Sequence, residues 1–210
     1  MDILAPAKIN LYLKVLRQRE DGYHEIETLF ERISLFDQIS IDISRGPTAI
    51  TCDDPRVPTD TESLMGQTVM EFKKASRSRL GFNINIKKNI PVSAGLGGGS
   101  SDAAALLKGL NRMSGSPLKQ PELLEIALRL GSDVPFFMYE WSFARGTGRG
   151  DTVEKTGEMP HLWHVIVNPP FEVSSREVYG RFPAFGLTKN SGVDRMMSAF
   201  FGDNNVDDIG

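Results

Sequence analysis

Of the 210 residues, one is cysteine, two are tryptophan and three are histidine. The single thiol, Cys52, excludes a disulfide scaffold and any cysteine-based zinc site. No apolar run approaches the roughly 18 residues that a membrane-spanning helix needs. The stretch Met1 to Lys8 has no basic segment followed by a long apolar one, so a secretory signal is not expected. Positive charge is not in excess either: 24 Lys and Arg face 27 Asp and Glu, for a net charge of −3. A basic nucleic-acid footprint is therefore missing at whole-chain level. What is there is ordinary globular usage, 40% hydrophobic and 24% charged. That usage excludes whole-chain disorder, and a chain of this size can bury roughly 70% of its unfolded surface, so it needs no staples to fold. These features together predict a cytoplasmic α+β protein.

Periodicity then divides the chain. Ile9 to Leu16 alternates and predicts a strand. Asp21-Gly22 is a turn dipeptide. Glu25 to Phe36 leans to strand, and Gln38 to Ile43 alternates more clearly. Gly46-Pro47 and Asp53 to Pro58 read as loops. A helix is predicted from about Thr61 to Arg77, with Leu64, Met65, Thr68, Val69 and Phe72 on one face. Phe82, Ile84 and Ile86 predict a strand that ends at Asn89. Asp102 to Met113 and Pro121 to Leu130 are helices, the second with Pro at its start and Gly131 at its stop. Val134 to Tyr139, Trp141 to Arg145 and Thr152 to Lys155 read as short strands, and Trp163 to Val167 as a buried one. Further helices are expected over Ser174 to Arg181 and Val193 to Phe201, before a polar, frayed end. The softest boundary lies near Gly157-Pro160, dividing the chain into 1–157 and 158–210.

Pro91-Val92-Ser93-Ala94-Gly95-Leu96-Gly97-Gly98-Gly99-Ser100-Ser101-Asp102 joins a strand to a helix. Its glycines permit positive φ and close backbone approach. Successive N–H groups in such a loop make a nest for anions, and the next helix adds its free N–H groups and positive dipole end. Ser100 and Ser101 place hydroxyls there, as an N-cap or toward a phosphate or its metal. The chemistry suggested is a phosphate clamp. No Gly-x-x-x-x-Gly-Lys-Ser/Thr is present, and flanking βαβ repeats are missing, which disfavours P-loop and Rossmann readings.

With Pro6-Ala7-Lys8-Ile9-Asn10-Leu11 ahead of this loop, the chain resembles the GHMP kinase superfamily. Asp21-Gly22-Tyr23-His24 and Gly131-Ser132-Asp133-Val134-Pro135-Phe136-Phe137 narrow the resemblance to its 4-diphosphocytidyl-2-C-methyl-D-erythritol kinases. That resemblance implies an α+β fold. Its N-terminal domain would hold a left-handed βαβ unit, against the usual hand, and an incomplete second α+β domain would follow. It also implies ATP and Mg²⁺, and a small-molecule cytidine diphosphate substrate phosphorylated on its 2-hydroxyl for non-mevalonate isoprenoid synthesis. Nucleic acid and membrane are not expected partners.

Read from its neighbours alone, Asp133 is an N-cap, a turn former or a catalytic carboxylate. The resemblance makes it the base that accepts the hydroxyl proton, and Lys8 the catalytic lysine paired with it. A cation beside a carboxylate favours the charged form. Pro91, Ser93, Ala94, Gly95, Leu96, Gly97, Gly98, Gly99, Ser100 and Ser101 would bind the nucleotide. Tyr23 would stack on cytosine and His24 would meet its polar edge. Tyr179 would cover the other face, and Asn10 would hydrogen-bond the substrate. Lys88 matches a basic residue near the nucleotide, with a solvated strand-end lysine as the alternative.

Other features read as structural. Gly146 to Gly150 is a hairpin turn, and Cys52 an inert thiol. His161 and His164 have no evident third metal ligand, and Trp141 and Trp163 read as core. Two departures from the resemblance stand out. Ser63 occupies a position where an Asn near adenine is expected. Nothing after Tyr179 matches the family's third glycine-rich motif, so the chain is expected to be C-terminally truncated, with residues 182–210 poorly anchored.

Overall fold

The computed structural model describes residues 1–157 and 160–168, together with Met196, which is helical. The elements run β1 (Asp2–Gln18), β2 (His24–Ser44), β3 (Ala49–Cys52), α1 (Leu64–Ser76), β4 (Gly81–Lys87), α2 (Gly98–Met113), α3 (Gln120–Leu130), α4 (Val134–Met138), β5 (Phe143–Thr147) and β6 (Thr152–Lys155). They form an α+β chain of two compact units. The first unit comprises residues 1–8, 33–92 and 96–140; the second comprises 9–32, 93–95 and 141–210. Strands β1 and β2 each begin in one unit and end in the other.

In the first unit, β4 lies between β3, which is parallel to it, and the last part of β2, which is antiparallel. Alternation sets the register: Ile39 pairs with Ile86 and Ile41 with Ile84. Phe82, Ile84 and Ile86 are buried while Asn83, Asn85 and Lys87 face out, as a half-buried strand requires. Helix α2 packs against this sheet through Gly109. A Cβ there would stand 2.5 Å from the side-chain ends of both Ile3 and Ile41. Met65, Val69 and Phe72 of α1 and Leu123, Ile126 and Ala127 of α3 complete the core.

In the second unit, Thr28 to Glu31 of β2 pair antiparallel with β5, and β5 pairs with β6. Gly146 allows that pairing, because a Cβ there would meet the Phe30 ring at 2.5 Å. The turn after it, closed by Gly150 N–H to the Thr147 carbonyl at 3.0 Å, is the hairpin expected from its glycines.

Three sequence readings are corrected and one element is added. Val134–Met138 is helical, not a strand. An unbroken apolar run has no period to separate the two, and Pro135, lacking an N–H, suits a first helical turn better than a sheet ladder. Helix α2 starts at Gly98, four residues before the expected Asp102, so two glycines and both serines belong to its first turn. Strand β3 lies between the loops read at 46–47 and 53–58, over residues that carry no assignment from sequence. Finally, 160–168 has no regular secondary structure. Trp163, Val165 and Val167 are 91%, 94% and 82% exposed rather than buried. Apolar side chains become core only against a partner, and none of the described strands pairs with this segment. The readings at 174–181 and 182–210, with Tyr179 and apart from Met196, lie outside the described residues.

Candidate active site

The glycine loop has an alternating backbone. Ser93, Gly95 and Gly97 have φ of 59°, 73° and 70°, and the residues between them do not enter that region. Alternation of this kind turns successive N–H groups toward one side, the arrangement of an anion nest. Ser93 is the residue least suited to it, since a side chain at positive φ costs energy that glycine avoids. Gly97 caps α2, whose first N–H groups have no intrahelical partner and add the positive dipole end. The Ser101 hydroxyl in this first turn is buried and has no hydrogen-bond partner.

Lys8 is tied to this loop by its backbone: its N–H donates to the Leu96 carbonyl at 2.9 Å. Its side chain is only 8% exposed. A Cβ on Gly97 would stand 2.9 Å from Lys8 Cγ and 3.0 Å from the Phe137 ring. Gly97→Ala therefore meets both a strained φ and two side chains that set the site. It is expected to destabilise the chain by about 1–3 kcal/mol in urea unfolding. Parent-like stability would mean that the loop relaxes freely.

Asp133 occupies the N-cap position of α4 but makes no side-chain capping bond. Its carboxylate instead lies 3.7 Å from Lys8 Nζ, and it is partly exposed while Lys8 is buried. Behind it, Lys108 of α2 donates to the Phe137 carbonyl at 3.0 Å and holds the far end of α4.

Lys88 is not solvated. Its ammonium is buried between the Asp37 carboxylate, which it contacts directly, and Asp102 at 2.7 Å. Asp37 also accepts N–H bonds from Asn89 at 2.6 Å and Ile90 at 2.8 Å. Sequence reading missed Asp37 and the burial of Asp102, for neither carries a local signal. Burial pushes the Asp102 carboxyl up to about 7; Lys88 opposes the shift and Asp37 adds to it. The folded chain thus keeps a proton that the unfolded chain, with its carboxyl near 3.8, has released. That contribution is complete below the unfolded value and is lost as pH rises through about 7. Urea unfolding between about pH 5 and about pH 8 should show this decline, and Asp102→Asn should flatten it.

The second unit holds the other candidate residues. Asn10 donates to the Thr28 hydroxyl at 2.6 Å, which donates to the Tyr12 carbonyl at 2.7 Å. Gly22, at φ 81°, turns the chain into Tyr23 and His24. The Tyr23 N–H donates to Asp21 at 3.1 Å, leaving the ring 59% exposed. His24 is half-buried at the start of β2. His164 pairs with Glu31 at 2.8 Å. Among the described residues no three His, Cys, Asp or Glu side chains group as a metal site. Burial raises the Cys52 thiol, which suits an inert side chain. Ser63 caps α1: its hydroxyl accepts from Gly66 N–H at 3.1 Å and donates to the Asp60 carbonyl at 2.6 Å.

Residues 63–140 match the family described as GHMP kinases N terminal domain. A solved structure of 4-(cytidine 5'-diphospho)-2C-methyl-D-erythritol kinase superimposes with a TM-score of 0.76 at 31% identity, covering 96% of this chain and 71% of that one. The 4-diphosphocytidyl-2-C-methyl-D-erythritol kinase of Syntrophus aciditrophicus is 38% identical over 192 residues, 90% of this chain and 67% of its own length. The chain belongs to the 4-diphosphocytidyl-2-C-methyl-D-erythritol kinase family. Another member of that kinase family, from Syntrophotalea carbinolica, is 45% identical over 177 residues, 84% of this chain and 63% of the relative. The chain spans 60–67% of the length of such kinases. No helix among the described residues is long and apolar enough to cross a membrane.

Proposed function

We propose that this chain is an ATP-dependent kinase. It would phosphorylate the 2-hydroxyl of 4-diphosphocytidyl-2-C-methyl-D-erythritol, in the cytoplasm, for isoprenoid precursors made without mevalonate. The carrying observation is the Lys8–Asp133 pair at 3.7 Å, with Lys8 bonded to the glycine loop through Leu96. Asp133 takes the proton of the attacking hydroxyl, and Lys8 stabilises the oxygen that is left. The loop from Pro91 to Ser101 clamps the phosphates. Phosphoryl transfer is loose, so holding and neutralising the reactants matters more than base strength. In the second unit, Tyr23 stacks on cytosine, His24 contacts its edge and Asn10 holds the acceptor; Tyr179, outside the described residues, is assigned the other face of the base. Residues 1–157 are taken as the N-terminal domain and 158–210 as part of a second.

Magnesium in such reactions is held mostly by phosphates and water, which asks for few protein ligands. The partnerless Ser101 hydroxyl in the first turn of α2 is a fitting oxygen for it. Bound there, the ion would supply charge neutralisation on the phosphates.

The test is titration of ATP and cytidine diphosphate into the 210-residue chain, with ADP release measured on the methylerythritol substrate. Binding of both with turnover supports the proposal. Binding of both without turnover favours a non-catalytic nucleotide-binding module. Binding of neither overturns both readings.

A further inference from the structure

We propose that Arg149 is a positioning residue for the acceptor's nucleobase: its guanidinium holds one face of the Tyr23 ring and leaves the other to the base. The inference rests on the reading of Tyr23 as the base-stacking residue. The hairpin that carries Arg149 looked like a simple turn in the sequence. In the structure its guanidinium carbon lies 5.0 Å from the Tyr23 ring centroid, inside the ~6 Å reach of a cation–π contact.

Both partners are fixed by their surroundings. Arg149 Nε lies 3.1 Å from Asp151 Oδ2, and its terminal nitrogen is 3.0 Å from the same oxygen. The Arg149 backbone N–H donates to Asp151 Oδ1 at 3.1 Å. Glycines at φ 68° and 91°, Gly148 and Gly150, frame the arginine. The Gly148 carbonyl accepts from Ile26 N–H at 2.7 Å, which ties the turn to β2. Across from it, the Tyr23 carbonyl accepts from Arg19 N–H at 2.8 Å. A tyrosine this exposed would otherwise sample several rotamers, and a base stacking on it would have to freeze them. Arg149 does that beforehand, which lowers the cost of binding. Its charge is already balanced by Asp151, so a phosphate clamp is the weaker reading of this arginine.

The experiment is calorimetric titration of cytidine diphosphate and of ATP into the full chain and into Tyr23→Ala, Arg149→Met and the double variant. Tyr23→Ala is expected to weaken cytidine diphosphate binding about tenfold or more. Arg149→Met should weaken it about three- to fivefold. In the Tyr23→Ala background the Arg149→Met effect should vanish, and ATP affinity should hold throughout. Should Arg149→Met fail to fold, Arg149→Gln gives the same readout, because a neutral amide keeps a polar stem but has no cation to hold the ring. Three results overturn the inference: no loss from the arginine variant, a loss that persists undiminished without Tyr23, or an equal loss of ATP binding. If Tyr23→Ala itself leaves cytidine diphosphate binding intact, the base-stacking reading fails and takes this inference with it. That outcome differs from an Arg149 failure alone, in which Tyr23→Ala still weakens binding.

Discussion

Asp133→Asn is expected to slow ADP release by about 10²–10⁴, with ATP affinity changed by no more than about threefold. Asparagine matches aspartate in shape, so the packing of α4 should survive. The Asp133 side chain makes no capping bond to that helix, and its 3.7 Å ion pair with Lys8 is one-third open to water on the Asp133 side, so the stability lost with its charge is about 1 kcal/mol or less. What asparagine cannot do is take a proton from the attacking hydroxyl or present a negative charge 3.7 Å from Lys8. Turnover and folding should therefore separate: urea unfolding near the parent's, rate far below it. A variant within about tenfold of the parent rate would remove Asp133 from the base role.

Lys88→Met should produce the largest loss of stability, about 3–5 kcal/mol in urea unfolding. Methionine fills the space of the lysine stem but leaves Asp37 and Asp102 facing each other without their cation. Both carboxylates are buried, so water cannot readily replace it. The penalty comes from removing the cation that both buried carboxylates contact, which Asp102, with its carboxyl already pushed up to about 7, meets only in part by holding its proton; it does not come from the value of an ion pair, which offsets its own desolvation poorly. Adding Asp102→Asn to Lys88→Met should accordingly recover part of the loss. A single-variant loss below about 1 kcal/mol would mean that the carboxylates reach solvent or take up protons at little cost.

Lys8, the glycine loop and Asp133 could be picked out in the sequence because each sits in a short motif whose chemistry is local. Strand β4 was equally plain, since Phe82, Ile84 and Ile86 repeat with the period of a pleat. Local reading failed where the deciding partner is distant. Asp37 lies 51 positions from Lys88, and nothing around either residue marks their pairing. Lys88 consequently kept a solvated alternative that burial removes. Val134 to Met138 failed for another reason: every residue is apolar or proline, so there is no face to read. Arg149 sat in a turn whose glycines account for the backbone and say nothing about where its guanidinium lands. Ser63 marks a departure whose structural meaning, a helix cap, becomes visible only with Asp60 and Gly66 in place.

The exposure of Trp163 also governs how the chain can be watched. With two tryptophans and one of them 91% exposed, native emission should be red-shifted and open to acrylamide quenching at Trp163. Its environment will change little on unfolding. The spectral signal of denaturation should come from Trp141, which is half-buried. Trp163→Phe would turn the chain into a single-tryptophan reporter for the stability experiments set out above.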